Sequence, residues 1–241
     1  MKNLTIFCAG CFRFVISELA SVFKEQFKLR ERPEHFVGAS GLMAQKIQNG
    51  SEADVFLSAN KRWAVEVQRI WKSENYMVCS NDLVILTSRE EHEAHQDSLQ
   101  LLADPNVILG FTDPNLDPSG QYAAEKFLPK IASVYPELYA SLKKRCFVIG
   151  KEYLEQKLPV GQTLPQYLLD TRKIQAMVVY GSSARSRRLA DGLAVFSLPS
   201  SLEVRTECFG IAKSEKGSQF LDFCLSSEGQ RILKKYGFLP I

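Results

Sequence analysis

Along this chain, short runs of β-branched or aromatic residues are repeatedly followed by stretches of helical spacing, the order that produces βα units and a largely parallel sheet. Leu4 to Phe7 reads as a first strand, and Phe12, Val15, Ile16, Leu19, Phe23 and Phe27 then recur at the interval of one helix face. His35 to Val37 is a second strand, Gly38-Ala39-Ser40-Gly41 a turn of small residues, and Leu42 to Gln48 a helix that Gly50 can end in a left-handed cap. Ala53 to Ser58 is a third strand, before a helix whose Trp63, Val67 and Trp71 share a face and read as core. A strongly apolar strand at Asn81 to Thr87 opens a second region. It holds Val107 to Phe111, helices from about Gln121 and Pro136, and a strand at Cys146 to Ile149. Thr163 and Gln166 have capping-box spacing with Pro165 in the first turn, and Ala176 to Tyr180 is a strand. Val204 to Ala212 is extended, and Ser218 to Tyr236 carries two short helices ending at Gly237. The class is α/β. The division is a first lobe over residues 1–82, a second over 83–200, and a return to the first over 201–241.

Several classes of function are excluded. A net charge of +3, from 30 Lys plus Arg against 27 Asp plus Glu mixed along 241 residues, lacks the basic stripe of a nucleic-acid binder. Lys143-Lys144-Arg145 and the run from Arg185 to Arg188 read as solvated helix surface. No apolar run approaches the roughly 18 residues of a membrane span. The first residues are too short an apolar stretch for a signal peptide, so the chain as given carries no export signal. Cys8-Ala9-Gly10-Cys11 resembles a lipoprotein cleavage box, but too few residues precede it. The six cysteines, Cys8, Cys11, Cys79, Cys146, Cys208 and Cys224, are too sparse and irregular for a disulfide framework and read mostly as buried thiols, which leaves the compartment open.

Three turns, Ala9-Gly10-Cys11, Gly38-Ala39-Ser40-Gly41 and Pro118-Ser119-Gly120, place small residues just before an expected helix start, and Thr163 adds a fourth start. Free N–H groups and the positive end of the helix dipole converge there, and small side chains let an anion reach the backbone. The pattern favours an oxyanion ligand.

These residues resemble the molybdate- and tungstate-binding proteins of ABC importers over nearly the whole chain. The resemblance is carried by Thr5-Ile-Phe-Cys-Ala-Gly-Cys, Gly38-Ala-Ser-Gly-Leu with Gln45-Lys-Ile-Gln-Asn-Gly, and Ala53-Asp-Val-Phe-Leu-Ser-Ala-Asn-Lys-Arg-Trp. It continues through Asp113-Pro-Asn-Leu-Asp-Pro-Ser-Gly-Gln-Tyr-Ala, Val178-Val-Tyr-Gly-Ser-Ser-Ala and Lys235-Tyr-Gly-Phe. The resemblance implies a type II periplasmic-binding-protein fold: two Rossmann-like lobes joined by two crossing strands, with the ligand in the cleft. It implies a monomer that captures a small oxyanion by lobe closure and delivers it to a membrane permease, outside the cytoplasm, without cofactor or free metal cation. The implied ligand residues are Gly10, Cys11, Ala39, Ser40, Ser119, Gln162 and Tyr180, with amides supplied at Ser119 and Gln162 and a hydroxyl at Tyr180. Two hydroxyls of the family pattern are missing, because Cys11 stands where serine is usual and Ala39 replaces the first serine of Gly-Ser-Ser-Gly. A hydrogen bond to a charged group contributes about 1.5 to 3 kcal/mol, so these changes cost molybdate a few powers of ten unless something compensates. Asp117 reads as a turn cap; in some relatives a carboxylate near this point coordinates the oxyanion's metal centre.

Other readings remain open at this stage. The ligand can be another anion or a thiol compound, and a cytoplasmic ligand sensor of the same fold is the alternative. Cys8 and Cys11 have Cys-x-x-Cys spacing, which raises a thiol-disulfide or metal function, but one pair cannot complete a four-ligand zinc site. An enzyme is not expected: of the three histidines, His35, His92 and His95, the last two lie in a polar stretch expected to be exposed, and no catalytic constellation emerges.

Overall fold

A computed structural model describes residues 3–154, 156–186, 192–239 and 241. The chain forms two compact units, residues 1–81 with 205–241, and residues 82–204.

The first unit opens with β1 (Thr5–Ala9), α1 (Ile16–Gln26), β2 (Glu34–Gly38), α2 (Ser40–Gln48), β3 (Val55–Ser58), α3 (Lys61–Trp71) and the start of β4 (Asn75–Ser88). β1 pairs in parallel with β2 and β3. Its Ile6, Phe7, Cys8 and Ala9 are all buried, as expected of a strand covered on both faces. α1 starts later than the spacing predicts. Gly10–Phe12 forms a 3-10 turn, with Arg13 N–H donating to Gly10 O at 3.1 Å, and only Ile16 begins the α-helix. Phe12 nonetheless lies buried with Ile16, Leu19 and Phe23, because the tight turn keeps it on the core side; Phe27 falls beyond the helix and is exposed. α2 ends as expected. Gly50 has φ +88°, its N–H donates to Ile47 O and that of Ser51 to Lys46 O, the paired bonds of a Schellman cap. In α3, Asn60 caps the first turn, and Trp63 and Trp71 pack against a cluster containing Phe56, Val67 and Ile211.

The second unit takes the rest of β4, then α4 (Arg89–Ala94), α5 (Ser98–Ala103), β5 (Leu109–Thr112), α6 (Pro118–Tyr122), a π-helical turn (Ala123–Phe127), α7 (Leu128–Val134), α8 (Pro136–Leu142), β6 (Cys146–Ile149), α9 (Lys151–Leu154), α10 (Leu164–Asp170), β7 (Ala176–Tyr180), α11 (Gly181–Ser186) and β8 (Leu193–Ser197). β5 lies parallel to β6 and β7, whereas β4 is antiparallel to β7 and β8. Val84, Leu86, Ile149, Leu168, Ile174 and Met177 belong to its core. The chain then returns to the first unit through β9 (Arg205–Ala212), α12 (Glu215–Leu225) and α13 (Ser227–Lys235). There β9 lies between β3 and β4, antiparallel to β3, and the strands run in the order β2-β1-β3-β9-β4.

Three expectations need correction. The strand expected from Asn81 begins at Asn75, because polar Asn75, Ser80, Asn81 and Asp82 interrupt its apolar run although it continues as one strand. The helix expected from Gln121 begins at Pro118, where proline's missing N–H has no cost. The basic run ending at Arg145 is only partly solvated surface, since that guanidinium donates to the carbonyls of Val107 and, at 3.0 Å, Leu102. Of the other basic run, Arg187 and Arg188 lie outside the described residues.

The corner between α12 and α13 is tight: Ser226 caps α13, and a Cβ on Gly229 would fall inside the carbonyl oxygen of Phe223 and against the backbone of Cys224. Gly229→Ala is therefore expected to lose about 2 to 3 kcal/mol of stability, measured as a lower melting temperature or denaturant midpoint. An unchanged midpoint would mean that this corner relaxes freely.

Candidate functional site

In the first unit the parallel register aligns Ala9 with Gly38, so the two turns that follow β1 and β2 emerge side by side. One holds Gly10 and Cys11, the other Ala39 and Ser40. A Cβ on Gly10 would meet no other atom, so packing does not require glycine there. Ser40 is the first residue of α2 and is fully buried, and its Oγ accepts the Ala59 N–H at 3.1 Å. That bond fixes the oxygen and leaves the hydroxyl hydrogen to donate. The preceding Ala39 has no side-chain oxygen to cap the helix, so the amides of Ser40, Gly41 and Leu42 find no acceptor among the described residues. A nine-residue helix with an uncapped start presents these groups and its dipole to whatever approaches.

Cys11 does not stand at a helix start. It lies in the 3-10 turn, buried, within hydrogen-bonding reach of Cys208, which Cys79 also reaches. The hydrogen bonds from Cys11 and Cys79 hold the Cys208 thiol below its ordinary value, whereas burial, then the bond to Cys208, pushes Cys79 up. Cys8 points into the core instead, where burial pushes it up to about 12. All six cysteines are free thiols, so Cys8 and Cys11 form no disulfide. Among the described residues no group of three or more His, Cys, Asp or Glu could hold a metal ion.

In the second unit Asp117 caps α6. Its Oδ1 accepts the Ser119 N–H at 2.8 Å, the Ser119 hydroxyl, and the Thr112 hydroxyl at 3.3 Å. The start of α6 passes so close to the end of β5 that a Cβ on Gly120 would overlap the Thr112 carbonyl, which explains the glycine. Gln162 precedes the Thr163 cap of α10; its N–H donates to Pro159 O at 3.1 Å and its Nε2 to Asp170 at 3.1 Å. The amides of Ser119 and Gln162 are thus both engaged within the unit. Tyr180 is buried at the end of β7, whose parallel neighbour β5 ends at Thr112. Directly after it, Asp82 and Arg185 form a bidentate ion pair at 2.8 and 2.5 Å beside Gly181.

Residues 4–239 match the profile of a family described as bacterial extracellular solute-binding proteins. The chain belongs to that family. It is 25% identical to the molybdate-binding protein ModA of Haemophilus influenzae, over 98% of this chain and 89% of that one. Among solved structures it resembles the periplasmic molybdate-binding protein of Azotobacter vinelandii, with a TM-score of 0.72 and 17% identity over 99% of this chain and 100% of that one. It also resembles Campylobacter jejuni PEB3 bound to L-phospholactate, with a TM-score of 0.75 and 14% identity over 99% and 100%. The fold is therefore that of the type II periplasmic binding proteins, in a family of solute-binding proteins rather than enzymes. Among the described residues no helix is long and apolar enough to cross a membrane.

The histidines are less exposed than expected. His92 stacks on Phe196 with ring centroids 4.2 Å apart, and His95 sits between the Glu91 carbonyl at 2.7 Å and Asp104 at 3.3 Å. Phe196 of β8 covers His92, and Ser88 with Glu91, at capping-box spacing, was the sequence signal for α4. Under native conditions a thiol reagent should modify half-buried Cys146 first, and Cys8, Cys11, Cys79, Cys208 and Cys224 only on unfolding, as read by peptide mass spectrometry. Fast labelling at Cys11 would show that its thiol is presented to solvent.

Proposed function

We propose that this chain is the solute-binding component of an ABC importer, working as a monomer outside the cytoplasm with a membrane permease, and that it captures a small tetrahedral oxyanion, the class to which molybdate and tungstate belong. The observation that carries this reading is the start of α2, where Ser40 keeps a hydroxyl hydrogen and three successive amides meet no acceptor. Ser40 is fully buried, and a buried donor left in this state is costly unless something negative completes it. Gly10 has open space where a side chain would stand, and Ala39 beside it is small. Ser119, Gln162 and Tyr180, with Asp117, are the candidate ligand residues of the second unit: Tyr180 would contribute its hydroxyl, and Ser119 and Gln162 would exchange the bonds they make to Asp117 and Pro159 for bonds to the ligand. The similarity to ModA, named for binding molybdate, supports the same class.

A ligand selective for the folded protein raises its melting temperature, by about 2.7 kcal/mol of added stability at roughly one hundred times its Kd. A thermal-shift panel of molybdate, tungstate, sulfate, phosphate and small thiols is expected to give a positive response from at least one oxyanion and none from the thiols. In the variant Ser40→Ala the responding oxyanion should bind about tenfold or more weakly, the cost of one charge-assisted hydrogen bond. A panel in which no oxyanion shifts the transition would overturn the proposal.

A further inference from the structure

We infer that Cys208 and Cys11 form an oxidation site, at which a small peroxide closes a disulfide between β9 and the turn after β1. Ligand capture gives Cys79 and Cys208 no part, and the whole group lies within the first unit. Cys11, Cys79 and Cys208 are all buried, and the Cys208 thiol takes hydrogen bonds from the other two. Two sulfurs thus converge on a third although the three positions are far apart in sequence. Cys8 and Cys224 play no part in this: burial pushes both thiols up, Cys8 to about 12, and keeps them inert.

A thiol reacts through its thiolate, and the sulfur that accepts hydrogen bonds carries most of that character. Here that sulfur is Cys208, whose thiol the bonds from Cys11 and Cys79 hold below its ordinary value. It attacks one peroxide oxygen: the O–O bond breaks, an S–O bond forms, and the departing hydroxide leaves as water with the Cys208 proton. The Cys11 sulfur then attacks the sulfenic sulfur, the S–O bond breaks, and the oxygen leaves as a second water with the Cys11 proton. Two thiols have given two electrons to one peroxide. Cys11 rather than Cys79 closes the bond for a geometric reason, since sulfurs at hydrogen-bonding separation must still approach to about 2 Å. Cys79 and Cys208 sit on the neighbouring strands β4 and β9, whose backbone pairing fixes their spacing. Cys11 sits in a 3-10 turn beside Gly10, where a Cβ would meet no other atom, so this turn has room to move. In the extracytoplasmic setting proposed above such a bond persists, and it tethers the turn that carries Gly10 to the middle of the sheet.

The test is peptide mapping by mass spectrometry of the full chain, reduced, exposed to hydrogen peroxide under native conditions, and alkylated only after unfolding. Hydrogen peroxide is little larger than water and reaches sulfurs that alkylating reagents do not. The expected product is a linked pair of Cys11 and Cys208 peptides that lacks two hydrogens and holds no added oxygen. It should form about tenfold or more faster than oxidation at half-buried Cys146, whose thiol burial pushes up. In Cys208→Ser the Cys11 thiol should survive the dose of peroxide that consumes it in the wild type. A linked Cys79–Cys208 pair, oxidation of Cys146 while Cys11 and Cys208 stay reduced, or loss of the Cys11 thiol unchanged in Cys208→Ser would overturn the inference. The wild-type map decides the matter if the variant fails to fold. None of these outcomes touches anion binding, so the oxyanion reading stands or falls on its own measurement.

Discussion

A helix that starts where a strand ends has amides with no partner within the helix, and the ways in which successive helices of this chain meet that demand organise the rest of the molecule. Asn60, Asp117, Thr163, Ser214 and Ser226 each turn a side-chain oxygen back onto the first turn. α2 has no such oxygen because Ala39 stands before it, and the neighbouring Ser40 spends its oxygen on Ala59. Two helix starts that look alike as Gly- and Ser-containing turns are therefore chemically opposite: α2 offers hydrogens, and α6 is already closed by a carboxylate with one oxygen to spare.

The α/β class and most strands were legible in the residues because strands buried on both faces show as unbroken apolar runs. Ala176–Tyr180, buried throughout, falls where the sequence places it, and so does the edge strand Cys146–Ile149, although it is only partly buried. Thr163 and Gly50 likewise act through local bonds that their own neighbours complete. What escaped was settled by partners distant in sequence. The first half of β4 is polar in places and is held by β9, and β8, with only two of its five residues buried, is held by β4. At the candidate site, spacing indicated that Ser119 and Gln162 lie at helix starts, but not that their amides are already donated to Asp117 and Pro159. Which acceptor an amide finds depends on loop conformation, and periodicity carries no record of it.

The cysteine in the first turn illustrates the same point from the other side. Set beside Cys8 in the sequence, Cys11 suggested a dithiol; in space the pleat sends Cys8 into the core, and Cys11 turns towards Cys208 and Cys79. A serine there would put a stronger donor at the same turn, whereas the thiol already has sulfur neighbours from β4 and β9. The turn is thus stitched to the middle of its sheet by side chains as well as by backbone pairing.

The insertion of β9 between β3 and β4 has a consequence for how the chain is made. During synthesis the second unit, an uninterrupted stretch of residues 82–204, can complete its core as soon as it emerges. The first unit, begun earlier, must wait with β3 and β4 lacking their common neighbour until Arg205–Ala212 appears, and α12 and α13 come later still. The half of the molecule synthesised first is therefore the half finished last, with an open sheet edge to be shielded in the interval.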